Sequence, residues 1–583
     1  MQSSLATQGS AAIPEAEHRL EPSSKAQIDE ALEVLTQHKQ AWADASIDDR
    51  IDLLDALREG VARVAEEWVE ASLQGKGIDP GSPYEAEEWL GGPAVLLRNI
   101  QLLQRSLRDF REHGAPCLPK PAFLGERGQV VAPVLPADGW DSFLFRGFKA
   151  EVWMQPEVRL EELEMTQAVF YREQAPVGKV ALVLGAGNVS SIAPMDSLYK
   201  LFVEGQVVLL KMNPVNEYLG PILSDAFEAL QEHGFFRIVY GGATEGEYMC
   251  QHPRVEEIHM TGSDKTHDAI VYGTGEEGAK RKTEDRPRLH KPLSSELGNV
   301  SPVIIVPGPW SDSDLAFQAE NIASSLCNNA GFNCNAPRVI VQHAQWEKRE
   351  VFLGALRGAF RKAEERHPYY PGAEERHRRY VEEHPYADQF GASGPGQVPW
   401  TLITHLNPER EDEICFTSEA WCGVTSEVGL SASSAVDYLE RAVAFCNDKL
   451  WGTLAAQIIV HPRSLQDPAM ASAVERAIGD LRYGGIAVNH WPGVLYGMAS
   501  PTWGSFPGHP RNDIRSGSGV VHNTYMFDRA QKSVLRGPFR LFPKPPWFLG
   551  NRNAVAIGRQ LTYFYADPSL VRLPGLLWTS LKG

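Results

Sequence analysis

Short apolar runs alternate with helical patterns between residues 176 and 275, and this alternation constrains the fold more than any other feature of the chain. Runs of four or five mostly apolar residues are typical of strands that are buried on both faces of a sheet. The helical stretches between them allow crossover connections, so the strands are predicted to be parallel. The predicted strands are Val180–Leu184, Val207–Leu210, Arg237–Tyr240 and Glu256–Met260, and the predicted helices lie around Met195–Val203 and Tyr218–His233.

A second α/β region is predicted to begin near residue 298. It contains further buried strands and a long helix over Asp314–Asn328. A polar stretch within it, Glu364–Gln397, is crowded with Glu, Arg, His and Pro, and it predicts a solvent-exposed insertion. The chain is therefore predicted to be an α/β protein with two parallel sheets. The strands of this second region are Leu297–Val306, Arg338–Gln342, Leu454–Val460 and Gly485–Val488.

The flanking segments have patterns of their own. Residues 1–24 are rich in Ser, Ala, Glu and Gln, which predicts a flexible tail. Helical periodicity then continues to about Arg111. Frequent prolines and short β-like runs from Pro116 to Pro176 predict an extended β arm, and Gly, Pro and Ser predict an ordered loop over Trp491–Val520.

Composition excludes several classes of function. The 583 residues are 43% hydrophobic and 22% charged, which is ordinary for a globular protein of several domains. The formal net charge is −18 and no basic stripe is present, so no nucleic-acid partner is expected. Seven cysteines without a C-x-x-C pair favour a reducing, cytoplasmic location. Neither a secretory signal nor a membrane-spanning run is predicted.

Two residues at predicted strand boundaries are candidates for chemistry. Cys334 lies between a predicted helix and a predicted strand, where a thiol can point into a cleft and nearby backbone N–H groups favour the thiolate. The alternative for Cys334 is a small buried structural side chain. Glu296 immediately precedes an apolar strand and is a candidate general base, with a solvated loop carboxylate as the alternative.

Polar groups also follow three strands of the first predicted sheet. Asn188 comes after the first strand, Lys211 closes the second, and Gly262 and Ser263 follow the fourth. The loop after Val180–Leu184 is not a G-x-G-x-x-G fingerprint, because Ser190 stands at the third glycine position. Ligands of α/β sheets bind at the carboxyl ends of strands, so these residues together favour a nucleotide site.

The order of these motifs resembles the aldehyde dehydrogenase superfamily, over residues 28 to 535. Glu296-Leu-Gly298 resembles the family's glutamate motif, and Gly331-Phe-Asn-Cys334 resembles its cysteine motif. The resemblance implies that Cys334 is the nucleophile, Glu296 the base that activates water, and Asn188 an oxyanion ligand. It also implies cofactor contacts by Lys211, Gly262, Ser263, Glu419 and Gly298, and a closing segment with Asn489 and Ser516–Gly519.

Several positions depart from the family pattern. Phe332 replaces the usual Gln, Asn299 follows Gly298 where a second Gly is usual, and His267 replaces a helix glycine. Pro214 stands where the family often has a Glu that binds the adenosine ribose. Without that carboxylate the choice between NAD and NADP stays open at this point.

The resemblance implies a Rossmann-type cofactor domain, a catalytic domain and a β oligomerisation arm. It divides the chain into the tail 1–24, a cofactor-binding domain 25–297 with the arm at about 116–176, a catalytic domain 298–500 with the insertion 364–397, a closing segment 501–542 and a C-terminal extension 543–583. The implied reaction is NAD(P)-dependent oxidation of an aldehyde to a carboxylic acid through a cysteine thiohemiacetal and thioester. A coenzyme-A-acylating enzyme or acyl reductase of the same fold, and an inactive nucleotide-binding homologue, remain open.

Four further expectations concern partners and ligands. The resemblance implies a homodimer or homotetramer. Aromatic and leucine residues after Pro543 leave peripheral membrane contact open, although packing on the protein itself is favoured. His367, His377 and His384 lack zinc-like spacing, so they are predicted to be surface residues and no metal site is expected. Phe332 and Trp421, which are close in sequence to candidate residues, hint at apolar aldehydes.

Overall fold

A computed structural model describes residues 8–11 and 13–583 of the chain. In chain order its strands are β1 Gly9–Ser10, β2 Phe123–Leu124, β3 Val130–Leu135, β4 Lys149–Met154, β5 Val180–Leu184, β6 Val207–Lys211, β7 Phe236–Val239, β8 Glu257–Gly262, β9 Leu293–Leu297, β10 Ser301–Ile305, β11 Pro337–His343, β12 Asp388–Phe390, β13 Trp400–Leu406, β14 Ser418–Glu419, β15 Val424–Leu430, β16 Ala455–Ile459, β17 Gly485–Val488, β18 Trp503–Gly504, β19 Val520–His522 and β20 Ala530–Arg536.

The helices are α1 Lys25–Ala43, α2 Ile47–Lys76, α3 Glu85–Trp89, α4 Val95–His113, α5 Gly139–Leu144, α6 Ile192–Leu198, α7 Gly220–Ala226, α8 Glu228–Glu232, α9 Ala243–Gln251, α10 Asp264–Tyr272, α11 Gly275–Thr283, α12 Asp312–Cys327, α13 Arg349–Phe360, α14 Ala373–Glu383, α15 Ile414–Thr417, α16 Ala435–Asp448, α17 Pro468–Asp480, α18 Gly493–Met498, α19 Ala554–Ala566 and α20 Leu573–Leu581. Short 3-10 or π turns connect several of them, including Tyr199–Val203 after α6 and Asn328–Gly331 after α12.

The smaller sheet has five parallel strands in the order β7-β6-β5-β8-β9. Apolar runs such as Val180–Leu184 form its centre because both faces are covered by helices. The N-terminal helices pack on this sheet, where the Trp42 ring contacts Phe202 and Phe235. The connection order reverses on the two sides of β5, so a crevice lies at its carboxyl end. The parallel sheet predicted for 176–275 is confirmed.

The larger sheet has eleven strands in the order β12-β13-β15-β11-β10-β16-β17-β20-β4-β3-β2. Its centre from β13 to β20 is parallel, and antiparallel strands complete both edges. The predicted extended arm supplies β2, β3 and β4, which join the sheet of their own chain through β20. The α/β fold class with two sheets is therefore confirmed, while the arm's part in oligomerisation stays a prediction.

One predicted strand is wrong in a way that matters for the site. The single strand expected over Leu297–Val306 is two strands, because β9 ends at Leu297 in the smaller sheet and β10 begins at Ser301 in the larger one. Gly298 lies at this crossing, so close to Glu419 that a Cβ would lie 1.9 Å from Glu419 Oε2. The crossing carries Glu296 to the junction between the two sheets.

The flexible tail predicted for residues 1–24 is wrong for the described part. β1 pairs in parallel with β14, and the backbone N–H groups of Arg19 and Leu20 both donate to Glu217. Ser24 caps α1 with a capping box. Residues 1–7 and 12 lie outside the described residues, so the prediction for them is untested.

The solvent-exposed insertion predicted for Glu364–Gln397 is also wrong in part. α14 packs on the larger sheet and β12 forms its edge strand. Arg366 pairs with Glu87 at 3.0 Å, and the Tyr369 hydroxyl oxygen lies 3.0 Å from the backbone oxygen of Asn188. The polar composition misled the prediction because its charged side chains pair with other charged groups of the protein.

The C-terminal extension packs on the protein itself. Phe548, Phe564 and Leu576 are buried, and α19 packs on the N-terminal helices. Leu570, Val571 and Trp578 are exposed near the end of the chain, so peripheral membrane contact stays a prediction. Within the described residues, no helix combines the length and the apolar character needed to cross a bilayer.

Candidate active site

The loop that carries Cys334 is held in an unusual backbone conformation. α12 ends at Cys327, and Asn329, Ala330 and Gly331 then adopt positive φ angles of 51°, 55° and 82°. Non-glycine residues rarely adopt this region, so neighbouring groups must hold the turn in place. The turn sets Cys334 at the entrance to β11, half-buried between the two sheets.

Asn329 supplies most of that restraint, because both the nitrogen and the oxygen of its side-chain amide form hydrogen bonds. Its Nδ2 donates to the backbone oxygen atoms of Asn188 at 3.0 Å and Phe332 at 3.3 Å. Its Oδ1 accepts from Lys76 Nζ at 3.0 Å and from the Tyr369 hydroxyl at 2.9 Å. Asn329 therefore ties the Cys334 loop to the loop after β5, to α2 and to the insertion.

Glu296 lies near the end of β9 with only 2% of its surface exposed. Trp503 Nε1 donates to its Oε1 at 3.2 Å. Burial raises the pKa of Glu296 to about 8, with the Asp196 and Glu419 carboxylates acting in the same direction and hydrogen bonds with Cys334 and Trp503 opposing them. Near neutral pH the carboxyl group is therefore mostly protonated.

Asn188 follows β5 and is buried beside the Cys334 loop. Its Nδ2 donates to the backbone oxygen of Phe332 at 2.9 Å. A primary amide has two N–H donors, so one remains for a group in the cavity that Asn188 lines. The amide is therefore placed to bind an oxygen next to Cys334.

The structure brings the three predicted catalytic residues together. Asn188, Glu296 and Cys334 line one cavity of about 30 Å³, which has room for a water molecule or a carbonyl group. Burial raises the pKa of the Cys334 thiol well above its usual range, and the Glu296 carboxylate raises it further. In the fraction of molecules whose Glu296 is ionised, the resting thiol can lose its proton to that carboxylate when an electrophile arrives.

Three of the predicted cofactor contacts lie at the carboxyl ends of β6 and β8, beside the crevice at the end of β5, which we call the cofactor cleft. Lys211 ends β6, and Gly262 ends β8 just before Ser263 caps α10. Glu419 and Gly298 are in direct proximity, and Glu419 accepts from the Asn299 backbone N–H at 3.2 Å. Gly298 and Glu419 thus lie together at the crossing between the two sheets.

The cleft has features that fit a dinucleotide. Lys211 is buried, and the one hydrogen bond of its ammonium group among the described residues is a long contact of 3.4 Å to the backbone oxygen of Met212. Burial lowers the pKa of Lys211 to about 8, although nearby carboxylates led by Glu15 oppose that shift. A buried amine with so weak a partner fits a ribose hydroxyl or a phosphate group.

The N-terminal segment lies across this cleft. The backbone N–H of Ser10 donates to Asp264 Oδ1 at 2.9 Å, and Ser418 Oγ donates to the oxygen of Gly9 at 2.9 Å. Farther along, Glu15 Oε1 accepts from the Ala243 backbone N–H at 2.8 Å. Sequence reasoning could not predict these contacts, because a Ser- and Ala-rich segment has no periodicity.

Two of the histidines that were predicted to be surface residues are buried. His377 Nε2 is 2.8 Å from Thr401 Oγ1, and His384 Nε2 is 3.0 Å from Glu413 Oε1. Cys415 completes a group whose ligand atoms lie within 4.8 Å of one another. Hydrogen bonding and the charge of Glu413 raise the pKa of His384, so this contact is explained as an ion pair. The prediction of no metal site stays a prediction.

Phe332 and Trp421 do not line the cavity that holds Cys334. Phe332 packs edge-on against Tyr369 with a centroid distance of 5.0 Å, and Tyr370 lies between Phe332 and Trp421 at 5.5 Å from each ring. Their use as indicators of an apolar substrate is wrong. Phe332, which stands where the family usually has Gln, instead packs the Cys334 loop against the insertion.

Sequence reasoning missed three residues that shape the cavity. Trp503 and Tyr496 both line it, and Asn329 holds the loop beside it. Trp503 and Tyr496 belong to the segment predicted only as an ordered loop. The Asn-Ala-Gly run at 329–331 was the available signal for Asn329, because Asn and Gly favour positive φ angles.

Known proteins are similar to part of this sequence. Residues 146–372 match the family model of the aldehyde dehydrogenase family. The chain is 27% identical over 201 residues to aldehyde dehydrogenase LUC3 of Fusarium sp, covering 34% of the chain and 38% of that protein. It is 31% identical over 175 residues to human 4-trimethylaminobutyraldehyde dehydrogenase, covering 30% and 32%. The chain thus spans about a third of the length of these curated relatives.

Solved structures match over most of the chain. Aldehyde dehydrogenase 21 of Physcomitrella patens, in complex with succinate, has a TM-score of 0.60 at 14% identity and covers 88% of this chain and 90% of its own. An NAD-dependent aldehyde dehydrogenase of Sinorhizobium meliloti has a TM-score of 0.59 at 17% identity, covering 91% and 92%. At such low identity this likeness shows the fold.

The two-sheet α/β architecture with a cysteine at the sheet junction is therefore the aldehyde dehydrogenase fold. Residues 146–372 also match the aldehyde dehydrogenase family model, so the matched sequence and the fold both indicate the aldehyde dehydrogenase superfamily.

Proposed function

We propose that the protein catalyses the NAD(P)-dependent oxidation of an aldehyde to a carboxylic acid, with Cys334 as nucleophile. The observation that carries the proposal is the single buried cavity lined by Asn188, Glu296 and Cys334. A nucleophile, a titratable carboxyl group and an amide donor around one small space are the groups that acyl chemistry requires.

The first step forms a bond between Cys334 Sγ and the aldehyde carbon. Ionised Glu296 takes the thiol proton, while the carbonyl oxygen becomes an oxyanion that the free N–H of Asn188 binds. Loss of one oxyanion donor typically costs about 2.7–4 kcal/mol in the transition state. The product of this step is a thiohemiacetal on Cys334.

When bound, the nicotinamide ring supplies the hydride acceptor for this thiohemiacetal. Lys211, Ser263 and Glu419 would hold the dinucleotide along the cleft, and both NAD and NADP remain candidates. Oxidation leaves a thioester on Cys334. Glu296 passes the thiol proton to solvent and so regains its ionised form. It then takes a proton from water, the water oxygen bonds to the acyl carbon, and the carbon–sulfur bond breaks to release the acid and the Cys334 thiolate.

The test is an aldehyde panel assayed with NAD and NADP separately, with and without coenzyme A. We expect reduced cofactor and carboxylic acid to form in equal amounts, without acceleration by coenzyme A. Formation of an acyl-coenzyme A instead would assign the acylating reaction, and binding of the dinucleotide without turnover of any aldehyde would assign an inactive homologue.

Cys334→Ala and Cys327→Ala form a matched pair for the nucleophile. Cys327 is fully buried at the end of α12. It lines neither the cavity that holds Cys334 nor the larger cavity beside it. We expect Cys334→Ala to abolish oxidation and Cys327→Ala to retain it. Oxidation by the Cys334→Ala variant would move the nucleophile to another residue.

Size measurement by light scattering tests the homodimer or homotetramer, and fractionation tests the cytoplasmic location, both of which stay predictions.

A further inference from the structure

We propose that the C-terminal extension, residues 543–583, forms the outer wall of a substrate chamber that takes apolar aldehydes such as medium- and long-chain alkanals. This inference rests on the proposed function and specifies its substrate class.

The chamber adjoins the cavity that holds Cys334. It has a volume of about 250 Å³, and four residues line both spaces: Val189, Asn333, Asn335 and Tyr496. Asn333 and Asn335 flank Cys334 in the chain. A molecule that extends from the chamber into the cavity of Cys334 therefore has its reactive end next to the sulfur atom.

The walls of the chamber are mostly apolar. Trp491, Val494 and Met498 form part of the inner side, and Trp547, Phe548 and Leu549 of the extension form part of the outer side. Among the charged lining residues, Glu87 is paired with Arg366, and Lys362 and Glu364 are exposed. The interior thus favours a hydrocarbon chain over a charged substrate.

The extension that forms the outer wall contacts both α12 and the N-terminal helices. The Leu549 backbone N–H donates to Ser324 Oγ at 2.9 Å, and Lys544 pairs with Glu320 at 3.0 Å. Both partners belong to α12, the helix that leads to the Cys334 loop. On the other side α19 packs on α3. Gly558 of α19 lies so close to Trp89 of α3 that a Cβ atom on residue 558 would lie 2.9 Å from the Trp89 side chain. The extension therefore bridges the catalytic helix and the N-terminal helices.

The first test needs no variant. We expect kcat/KM of the full-length protein to rise along a series of straight-chain aldehydes from acetaldehyde to decanal, by about four-fold for each buried methylene. If acetaldehyde and decanal are oxidised with equal kcat/KM, the substrate class is wrong although the proposed function stands. If no aldehyde is oxidised, the proposed function itself fails.

The second test uses two tryptophans of the extension. Trp547 lines the chamber, whereas Trp578 is 63% exposed and does not. We expect Trp547→Ala to lower the ratio of kcat/KM for decanal to that for acetaldehyde by about ten-fold or more, and Trp578→Ala to leave this ratio unchanged. Equal ratios in the two variants would overturn the role of the extension.

A separate set of contacts supports a second inference. We infer that the described N-terminal residues, 8–11 and 13–20, occupy part of the cofactor cleft and must leave it before the cofactor binds. The segment touches or faces predicted cofactor positions along the cleft. β1 pairs with Ser418–Glu419, Ser10 bonds Asp264 next to Ser263, and Glu15 exerts the largest effect of any charged group on Lys211.

Gly9 shows how closely the segment fits. It has a φ of +98°, and a Cβ there would lie 2.2 Å from Asp264 Oδ2. Glycine alone tolerates this backbone conformation and this contact together. The Glu15 carboxylate of the segment also favours the charged form of Lys211, the amine that the dinucleotide would use.

Cofactor affinity, measured without aldehyde, tests this competition. Deletion of residues 1–21 leaves Ser24, which caps α1, in place. We expect this deletion to lower the Kd for NAD or NADP by about ten-fold or more, corresponding to about 1.4 kcal/mol. Gly9→Val is expected to tighten binding in the same direction without deletion.

Gly128→Ala is the control, because Gly128 also has a positive φ of +75° but a Cβ there would have no atom within 4 Å. It is expected to leave the Kd unchanged. If the deletion and Gly9→Val bind the dinucleotides no more tightly than the full chain, the segment does not compete. Such a result says nothing against aldehyde oxidation, which the panel measures separately.

Discussion

Glu296 is a carboxyl group whose function depends on being ionised although its surroundings favour the neutral form. Burial raises its pKa to about 8, so about one molecule in ten has the ionised base at pH 7. The rate of hydrolytic turnover is therefore expected to rise roughly ten-fold from pH 7 to a plateau above pH 9. Stopped-flow and steady-state rates across this range measure it.

Glu296→Gln separates the two halves of the reaction. The amide retains the shape of the side chain but cannot take a proton from water, so the thioester is expected to accumulate on Cys334. We expect the initial burst of reduced cofactor to persist in part, while steady-state turnover falls by about 10²–10⁴-fold and loses its rise through pH 8. Full multi-turnover activity in this variant would remove Glu296 from the mechanism.

Trp503→Phe tests how the protein adjusts that base. The indole N–H donates to Glu296 Oε1 at 3.2 Å and thereby stabilises the ionised form. Loss of the donor is expected to raise the pKa of Glu296 further and to move the rise in kcat to higher pH. Trp578→Phe, at an exposed position, serves as control and should retain the original profile. An unchanged profile in Trp503→Phe would show that the indole has only a packing role.

At the scale of elements, the turn between α12 and β11 combines strain with restraint. Asn329 has a φ of 51°, and its side chain engages the loop after β5, Lys76 and Tyr369. Substitutions at this residue therefore act on stability through two separable causes, the backbone conformation and the hydrogen bonds.

Asn329→Gly and Asn329→Ala separate these causes. Both lose the side-chain hydrogen bonds, so both are expected to lower the free energy of unfolding by about 2–4 kcal/mol and to lower kcat. Alanine also strains the left-handed backbone, so Asn329→Ala should be less stable than Asn329→Gly by about 1 kcal/mol. Urea unfolding monitored by tryptophan fluorescence checks this order. Equal stability of the two variants would show that the turn relaxes.

The same elements show what sequence reasoning can and cannot reach. The limits of β5, β6 and β17 are predictable within one residue because continuous apolar runs report burial on both faces. The split at Gly298 escapes prediction because both sheets need the same apolar pattern, so composition does not reveal which sheet a strand joins. The catalytic candidates Asn188, Glu296 and Cys334 can be predicted from the order of the motifs. Asn329 and Trp503, which hydrogen-bond to the site, cannot, because such contacts depend on tertiary structure.

At the scale of the whole molecule, the extension contributes to stability as well as to the chamber. α20 buries mainly Leu576, whereas the segment from Phe548 to Tyr565 buries several large side chains. A chain that ends after Asp567 is therefore expected to unfold near the temperature of the full chain.

A chain that ends after Pro543 removes that buried segment. Loss of Phe548, Ile557, Phe564 and Tyr565 at ~1.5–3 kcal/mol each is expected to cost on the order of 6 kcal/mol or more. Differential scanning calorimetry of the two truncated chains compares them directly. If both unfold at the temperature of the full chain, α19 makes no net contribution to the packing of the N-terminal helices.

The position of β20 in the larger sheet has a consequence for synthesis. β20 ends at Arg536, yet it alone connects the strands β3 and β4 of the arm to the rest of that sheet. During translation the edge of β4 that pairs with β20 stays without its partner for on the order of 20–80 s, until β20 leaves the ribosome. Unpaired strand edges associate with other chains during such an interval. The yield of soluble protein therefore depends on whether β20 is synthesised before the unpaired edge of β4 aggregates. At low temperature the chain accumulates more slowly, and we expect more of it to fold.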